Sequence, residues 1–294
     1  MNELGFDCSG LDTRPDQPIN WLVAHEHGIR YATIRATSGA QADYQYKPNM
    51  EGARAAGIHV MPYTYLVFHD DPVKQAVGFL NAVEWADLPP MLDLEEYERK
   101  NKAFGGCWKA AIKPWLDYVG GALGITPVIY SSPGFIRQFL SADTEAVKYP
   151  LVIAHYDINA PYVGKPWIPG RELAWQFGDG RDGYYYGFTG ARGCALYAWN
   201  GELADYVKEW SGGSFTPPPP PPERQARVIT SSLNIRSWPS GDATPDGTIG
   251  VVKRNQVVTV YDERKDYYGN TWARIGEDMW SALRYGSSVY LEYL

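Results

Sequence analysis

Short apolar runs alternate with amphipathic stretches along most of this chain, and glycine, proline or short polar residues stand between them. Residues 4–8 read as a strand, and residues 19–28 carry apolar side chains at helical spacing. Residues 31–37 are strand-like again and run into Ser38-Gly39. Residues 47–56 predict a helix stopped by Gly57, because glycine takes the left-handed cap without strain. Residues 60–68 predict the next strand, and Asp71-Pro72 opens a helix reaching about Trp85, with proline tolerated in the first turn. Pro89-Pro90 precedes a strand over residues 91–95. A helix follows over residues 106–123, ending at Gly124; then come a strand over 127–131 and a short helix after Pro133. Strands over 151–156, 172–177 and 193–199 and a helix over 202–210 complete the series. Eight strands alternating with helices, some of the later helices short or missing, predict an α/β fold. Its expected form is a TIM-like (β/α) barrel, closed and parallel, with irregular later repeats.

The pattern then changes. Gly212-Gly213-Ser214-Phe215-Thr216 precedes six consecutive prolines, Pro217 to Pro222. Glycine and serine flex, whereas six prolines make a stiff rod of about 19 Å at ~3.1 Å per residue. Residues 226–294 are too few for a second such barrel and alternate in the manner of strands, with turns at Ser240-Gly241, Asp246-Gly247 and Gly269-Asn270. They predict a small all-β barrel. The expected domains are therefore 1–211, a linker over 212–225, and 226–294.

Composition narrows the partner. Aromatic residues make up 14% of the 294, with 11 Trp and 22 Tyr. Aromatic rings stack on sugars and on bases alike, but a formal net charge of −7 repels a polyphosphate and argues against nucleic acid. From Glu223 onward 9 basic and 9 acidic residues cancel, so the first 222 residues, with 18 against 25, carry the whole imbalance. Cys8, Cys107 and Cys194 are too sparse for a disulfide framework and form no Cys-x-x-Cys pair, and the histidines share no ligating spacing. Neither a metal nor another cofactor is expected. No apolar run approaches the ~20 residues of a membrane span, and Met1-Asn2-Glu3-Leu4 lacks the basic start and apolar core of a Sec leader.

The candidate chemistry sits at residues 91–95. On a strand, Asp93 and Glu95 point one way and Leu92, Leu94 and Glu96 the other, with the two acidic Cα atoms roughly 6–7 Å apart. Two carboxyls that close resist joint ionisation, so one holds its proton more tightly. A glycoside hydrolase uses that asymmetry; metal binding and helix capping are the other uses of such a pair. In a barrel of this kind chemistry lies at the C-terminal ends of the strands. Those ends offer Asp7, Arg35, Tyr63, Tyr65, Asp93, Glu95, Tyr130, Tyr156, Trp175, Gln176 and Tyr197, an acidic centre ringed by aromatic side chains.

In series, these stretches resemble glycoside hydrolase family 25, the muramidases typified by phage and fungal lysozymes. The resemblance rests on Gly5 to Ser9, Tyr31 to Gly39 with Asp43 beyond, Pro62 to Tyr65 (Thr64 standing for a usual His), Leu92 to Glu95, Ile129 to Ser131, Ile153 to Tyr156, and Ala174 to Gln176. It implies hydrolysis of the β-1,4 bond from N-acetylmuramic acid to N-acetylglucosamine in peptidoglycan. Glu95 would be the acid and then the base. An ionised Asp93 would assist the substrate's own acetamido group, Asp7 would hold the hydrogen-bond network, and Asp43 and the aromatic set would bind glycan. The resemblance departs near the end: Ala195 and Tyr197 stand where the family carries Asp and Asn, with Asp179 or Asp182 as nearby substitutes. A weakened or inactive glycan-binding or phage structural protein on the same fold is the alternative. Residues 226–294 resemble bacterial Src-homology-3-like domains through Leu233 to Ser237 and Trp272 to Ile275, which implies binding of cell-wall peptide; of the rings Trp238, Tyr267, Tyr268 and Trp280, some would form that surface and others the core of the domain. Together with the missing leader, this suggests an endolysin acting outside the cytoplasm on the wall.

Overall fold

The chain divides into two compact units, Met1–Pro217 and Pro218–Leu294. The computed structural model describes residues 3–84, 86–97, 101–190, 193–210, 224–236, 248–265, 270–276 and 279–294. The expected helix end at Trp85, the linker through Pro222, the turns at 240–241, 246–247 and Gly269, and the rings Trp238, Tyr267 and Tyr268 lie outside them.

The strands of the first unit are β1 (Leu4–Cys8), β2 (Ile29–Ser38), β3 (Gln41–Ala42), β4 (His59–Tyr65), β5 (Met91–Leu94), β6 (Val128–Ser131), β7 (Leu151–Ala154), β8 (Ala174–Arg181) and β9 (Cys194–Trp199). β1 pairs with both β2 and β9, so eight of them close a ring in the order β1-β9-β8-β7-β6-β5-β4-β2, and β3 folds back on the end of β2. Neighbours from β1 through β2 and β4 to β8 run parallel, but β9 is antiparallel to both β8 and β1. The expectation of an all-parallel barrel is corrected at this strand. A parallel crossover takes about a dozen residues or more, usually with a helix, to travel back along the barrel. Residues 182–193 hold no helix among the described residues, so the chain turns back directly and β9 enters from the mouth.

The helices are α1 (Trp21–Glu26), α2 (Tyr46–Ala55), α3 (Pro72–Ala82), α4 (Lys113–Leu123), the single turn α5 (Pro133–Phe135) and α6 (Leu203–Trp210). Their ends follow from local chemistry. Asp71 accepts hydrogen bonds from the Val73 and Lys74 N–H groups at 2.9 and 3.0 Å, with Pro72 in the first turn. α4 continues a π-helical turn over Trp108–Ile112 and stops at Gly124, whose φ is 68°.

Strand alternation sorts the barrel into two faces. Outward residues such as Phe6, Ile34, Leu92, Leu94, Ile129 and Ile153 join Phe79, Trp108 and Trp115 of the helical layer in one cluster. Phe79 and Trp115 meet edge to face with centroids 5.3 Å apart, and truncating such a tryptophan costs about 3–5 kcal/mol. Inward residues at the lower end, Tyr31, Met61, Met91, Val128, Val152, Ala174 and Trp199, plug the barrel. A Cβ on Gly5 would fall 2.5 Å from the Tyr31 ring, so β1 has room for that ring only because it carries glycine there. Above this plug the inward positions turn polar. Chemistry is thereby confined to the end at which the parallel strands finish.

The second unit is all β. A sheet of β13 (Val257–Val260), β10 (Arg224–Val228) and β18 (Leu291–Tyr293) accompanies a second, ordered β12 (Thr248–Lys253), β11 (Ser232–Arg236), β16 (Met279–Tyr285), β15 (Thr271–Gly276) and β14 (Asp262–Lys265), with β17 (Ser288–Val289) on β16. Trp272 and Trp280 fill its core at 3% and 1% exposure. Of the two places open to it, surface or core, Trp280 takes the core: two sheets this small need a large ring between them. Among the described residues no helix is long and apolar enough to cross a membrane.

Candidate active site

Asp93 ends its strand inside the barrel, 5% exposed, paired across β4 with Tyr65 and across β6 with Tyr130. Glu95 lies one step beyond the strand and opens to solvent. The two carboxyls share a hydrogen bond. Burial raises the pKa of both. Asp93 is pushed up further by the charges of Glu95 and Asp7, with Arg35 opposing, and the shared hydrogen bond raises Asp93 while it lowers Glu95. Asp93 is the deeper of the two and so the costlier one to charge. Asp93 Oδ1 is buried with no hydrogen-bond partner, an acceptor left open within the cleft.

Asp7, recessed on β1, is pushed up to about 8 by burial first, then by the charges of Asp12 and Glu95. Arg35, inward on β2 beside Tyr63 of β4, faces this acidic floor. Burial and the charges of Asp7 and Asp93 raise the Tyr63 phenol too.

One wall is organised by Gln176. Its Oε1 accepts from the Tyr130 hydroxyl at 2.8 Å and from the Tyr156 hydroxyl, and its Nε2 donates to the Tyr197 hydroxyl at 2.6 Å. Gln176, Tyr130 and Tyr197 are 3%, 7% and 2% exposed, whereas Tyr156 stands 39% exposed at the rim. Tyr197 therefore braces the wall from below instead of reaching the open mouth. β9 runs in reverse, so its late residues go down into the plug and Tyr197 meets Tyr31 edge to face.

Two further expectations change. Trp175 is next to Gln176 on β8, so it points out of the barrel, packing on Phe177 and donating its indole N–H to the His155 carbonyl at 2.8 Å. Asp43 is fully engaged: it pairs with Arg35 at 2.8 Å and accepts the N–H groups of Gly10, at 2.9 and 3.1 Å to its two oxygens, and of Gln45, at 2.9 Å. With its side chain 2% exposed, Asp43 anchors the loop after β1 and aims Arg35.

Asn101 was not marked in the sequence. Its Oδ1 accepts from the Phe68 N–H at 3.0 Å, and its Nδ2 donates to the carbonyls of Leu66 at 2.8 Å and Glu95 at 3.3 Å, which ties the turn carrying Glu95 to the end of β4. It lies in a polar run from Glu95 to Lys102 that reads as ordinary surface, and only its burial distinguishes it. Ser131 adds a bond from its hydroxyl to the Leu94 carbonyl at 2.9 Å. The whole arrangement is a pair of hydrogen-bonded carboxyls at the mouth of a plugged barrel, with an unpartnered acceptor on the deeper one and phenols around. It is fitted to move a proton to and from a polar ligand.

The profile of Glycosyl hydrolases family 25 matches residues 13–182. Among solved structures, the chain is similar to the bacterial lysozyme of Streptomyces coelicolor, with a TM-score of 0.63 and 20% identity over 71% of this chain and 97% of that one. It is similar to the family 25 lysozyme of Aspergillus fumigatus, with a TM-score of 0.60 and 23% identity over 72% and 100%. It is also similar to the catalytic domain of an endolysin from bacteriophage P40 of Listeria monocytogenes, with a TM-score of 0.53 and 21% identity over 72% and 98%. At such identities these likenesses speak for the fold. No curated protein matches the chain.

Proposed function

The chain belongs to glycosyl hydrolase family 25 and is a glycoside hydrolase, and we propose that it cleaves peptidoglycan at the β-1,4 bond from N-acetylmuramic acid to N-acetylglucosamine. The observation that carries this reading is the hydrogen-bonded pair of Asp93 and Glu95, with the deeper Asp93 leaving its Oδ1 unpartnered; in this reading Asp93 holds the proton of the pair before substrate binds. An acetamido N–H of the sugar supplies the donor that Oδ1 lacks. That bond favours the charged form of Asp93, so substrate binding passes the proton outward to Glu95. Glu95 then protonates the glycosidic oxygen while the acetamido carbonyl oxygen attacks the anomeric carbon and the C–O bond breaks. The leaving sugar departs with the proton. Water next attacks the anomeric carbon and gives a proton back to the Glu95 carboxylate, the cyclised acetamido group reopens, and the configuration is retained.

In this reading Asp7 and Arg35 set the field of the floor, and Tyr63, Tyr65, Tyr130 and Tyr156 line the sugar. The substrate class is supported by the family and by the lysozymes among its structural relatives. Action on the cell wall, as an endolysin, and wall-peptide binding by a Src-homology-3-like second unit belong to the same proposal. Clearance of purified cell-wall suspensions tests it: the parent protein lowers turbidity, and Glu95→Gln does so about 10²–10⁴-fold more slowly. A parent no faster than Glu95→Gln would leave a glycan-binding role in place of hydrolysis.

A further inference from the structure

The ladder between β8 and β9 slips twice close to the mouth. Gln176 pairs with Tyr197 but Gly178 already with Leu196, which leaves Phe177 as an extra residue, and Arg181 pairs with Cys194, so Asp179 and Gly180 together stand opposite the single residue Ala195. This is a β-bulge, and its construction is specific. Gly180 has φ 64°, the left-handed region that glycine enters without strain. A Cβ on Gly193 would lie 2.5 Å from the Gly180 Cα, so the two backbones touch there. The Asp179 carboxylate accepts the Gly180 N–H at 2.8 Å, which fixes it to the bulge.

Bulges beside active sites re-aim side chains. Up to Phe177 β8 alternates regularly, with Gln176 inside and Trp175 and Phe177 outside. Unbroken alternation would send Asp179 outward as well. The first slip changes the phase by setting Gly178 opposite the outward Leu196, the bulge follows at once, and the charge of Asp179 acts on Glu95, Asp7 and Tyr156, all groups of the cleft. Asp182, three residues on, behaves differently. It caps a turn by accepting the Tyr184 and Tyr185 N–H groups at 3.1 and 3.4 Å, and its charge reaches Cys194, whose side chain joins the outer cluster.

We propose that the bulge serves to hold the Asp179 carboxylate at the mouth as the electrostatic partner of Glu95, and that the reaction needs a negative charge at this place rather than at this residue. The inference rests on the reading of Glu95 as the acid. The other groups that face Glu95 are Asp93 on β5 just before it, Asp7 on β1, Tyr65 on β4, Tyr130 on β6 and Tyr156 beyond β7, while Arg35 on β2 acts on Asp93. Asp179 is the exposed carboxylate of this set apart from Glu95 itself. It makes Glu95 a weaker acid, so that Glu95 keeps its proton to higher pH once Asp93 is charged by substrate.

The test uses the full chain and four variants: Asp179→Asn, Ala195→Asp, the two combined, and Asp182→Asn. Carboxyl-carbon NMR titration of Glu95 in the free protein is the first readout. Asp179→Asn is expected to move the Glu95 titration to lower pH by on the order of half a unit. Ala195→Asp added to Asp179→Asn should move it back, since position 195 faces the bulge, and Asp182→Asn should leave it in place. In wall hydrolysis, Asp179→Asn should lower kcat several-fold at unchanged KM and shift the basic limb of the pH profile in the same direction. An unmoved Glu95 titration in Asp179→Asn, or no return in the double variant, overturns the proposal. A parent that titrates as expected but releases no glycan overturns the peptidoglycan reading alone.

Discussion

At the scale of single residues, the acidic floor sets how this protein responds to pH. Asp7 titrates near 8 in the folded chain, against about 3.9 for an ordinary aspartate. Between those values the native state holds a proton that the unfolded state has released. Stability contributed by this group is therefore full below about pH 4 and is lost as pH rises through about 8. The raised Asp93 acts in the same direction. Asp7→Asn cannot ionise, so its melting temperature should match the parent's at pH 4 and exceed it by several degrees at pH 8; calorimetry at the two values checks this. Asp93→Asn should behave differently in assay. It keeps a polar group at the buried Oδ1 position but cannot take on the charge that drives the proton to Glu95, so kcat should fall about 10²–10³-fold. Folding of this variant, followed by circular dichroism, should be close to the parent's.

At the scale of elements, the weight falls on β8 and β9. Gln176 supplies partners to three phenols, and Gln176→Leu would leave two of them, Tyr130 and Tyr197, buried without that partner at a cost of about 2–3 kcal/mol. Urea unfolding should show the midpoint falling with an unchanged slope. Apolar period and turn residues made the strands and most of the helices legible in the sequence, and Asp93 with Glu95 stood out by alternation alone. The reversal of β9 was not legible, because a strand shows the same alternation whichever way it runs. Direction is decided by the connection, and that of residues 182–193 shows only in the structure, where none of their described residues is helical. The same alternation places Trp175 outside once Gln176 is inside, an inference the sequence permitted. The engagement of Asp43 and the anchoring by Asn101 depend on contacts between distant segments, which no local pattern encodes.

At the scale of the whole molecule, two compact units each with a core of its own, joined through a proline run, should unfold in separate transitions. Removing residues 218–294 should leave hydrolysis of soluble glycan within about two-fold and weaken pull-down on cell walls; equal pull-down by the shortened chain would exclude an anchoring role for the second unit. The role proposed for the paired carboxyls is the cutting of one particular glycan bond. Mass spectrometry of the reducing ends released from purified peptidoglycan tests that most directly. The parent should yield fragments ending in N-acetylmuramic acid, and Glu95→Gln should yield almost none. Fragments ending in N-acetylglucosamine, or equal release by both proteins, would contradict it.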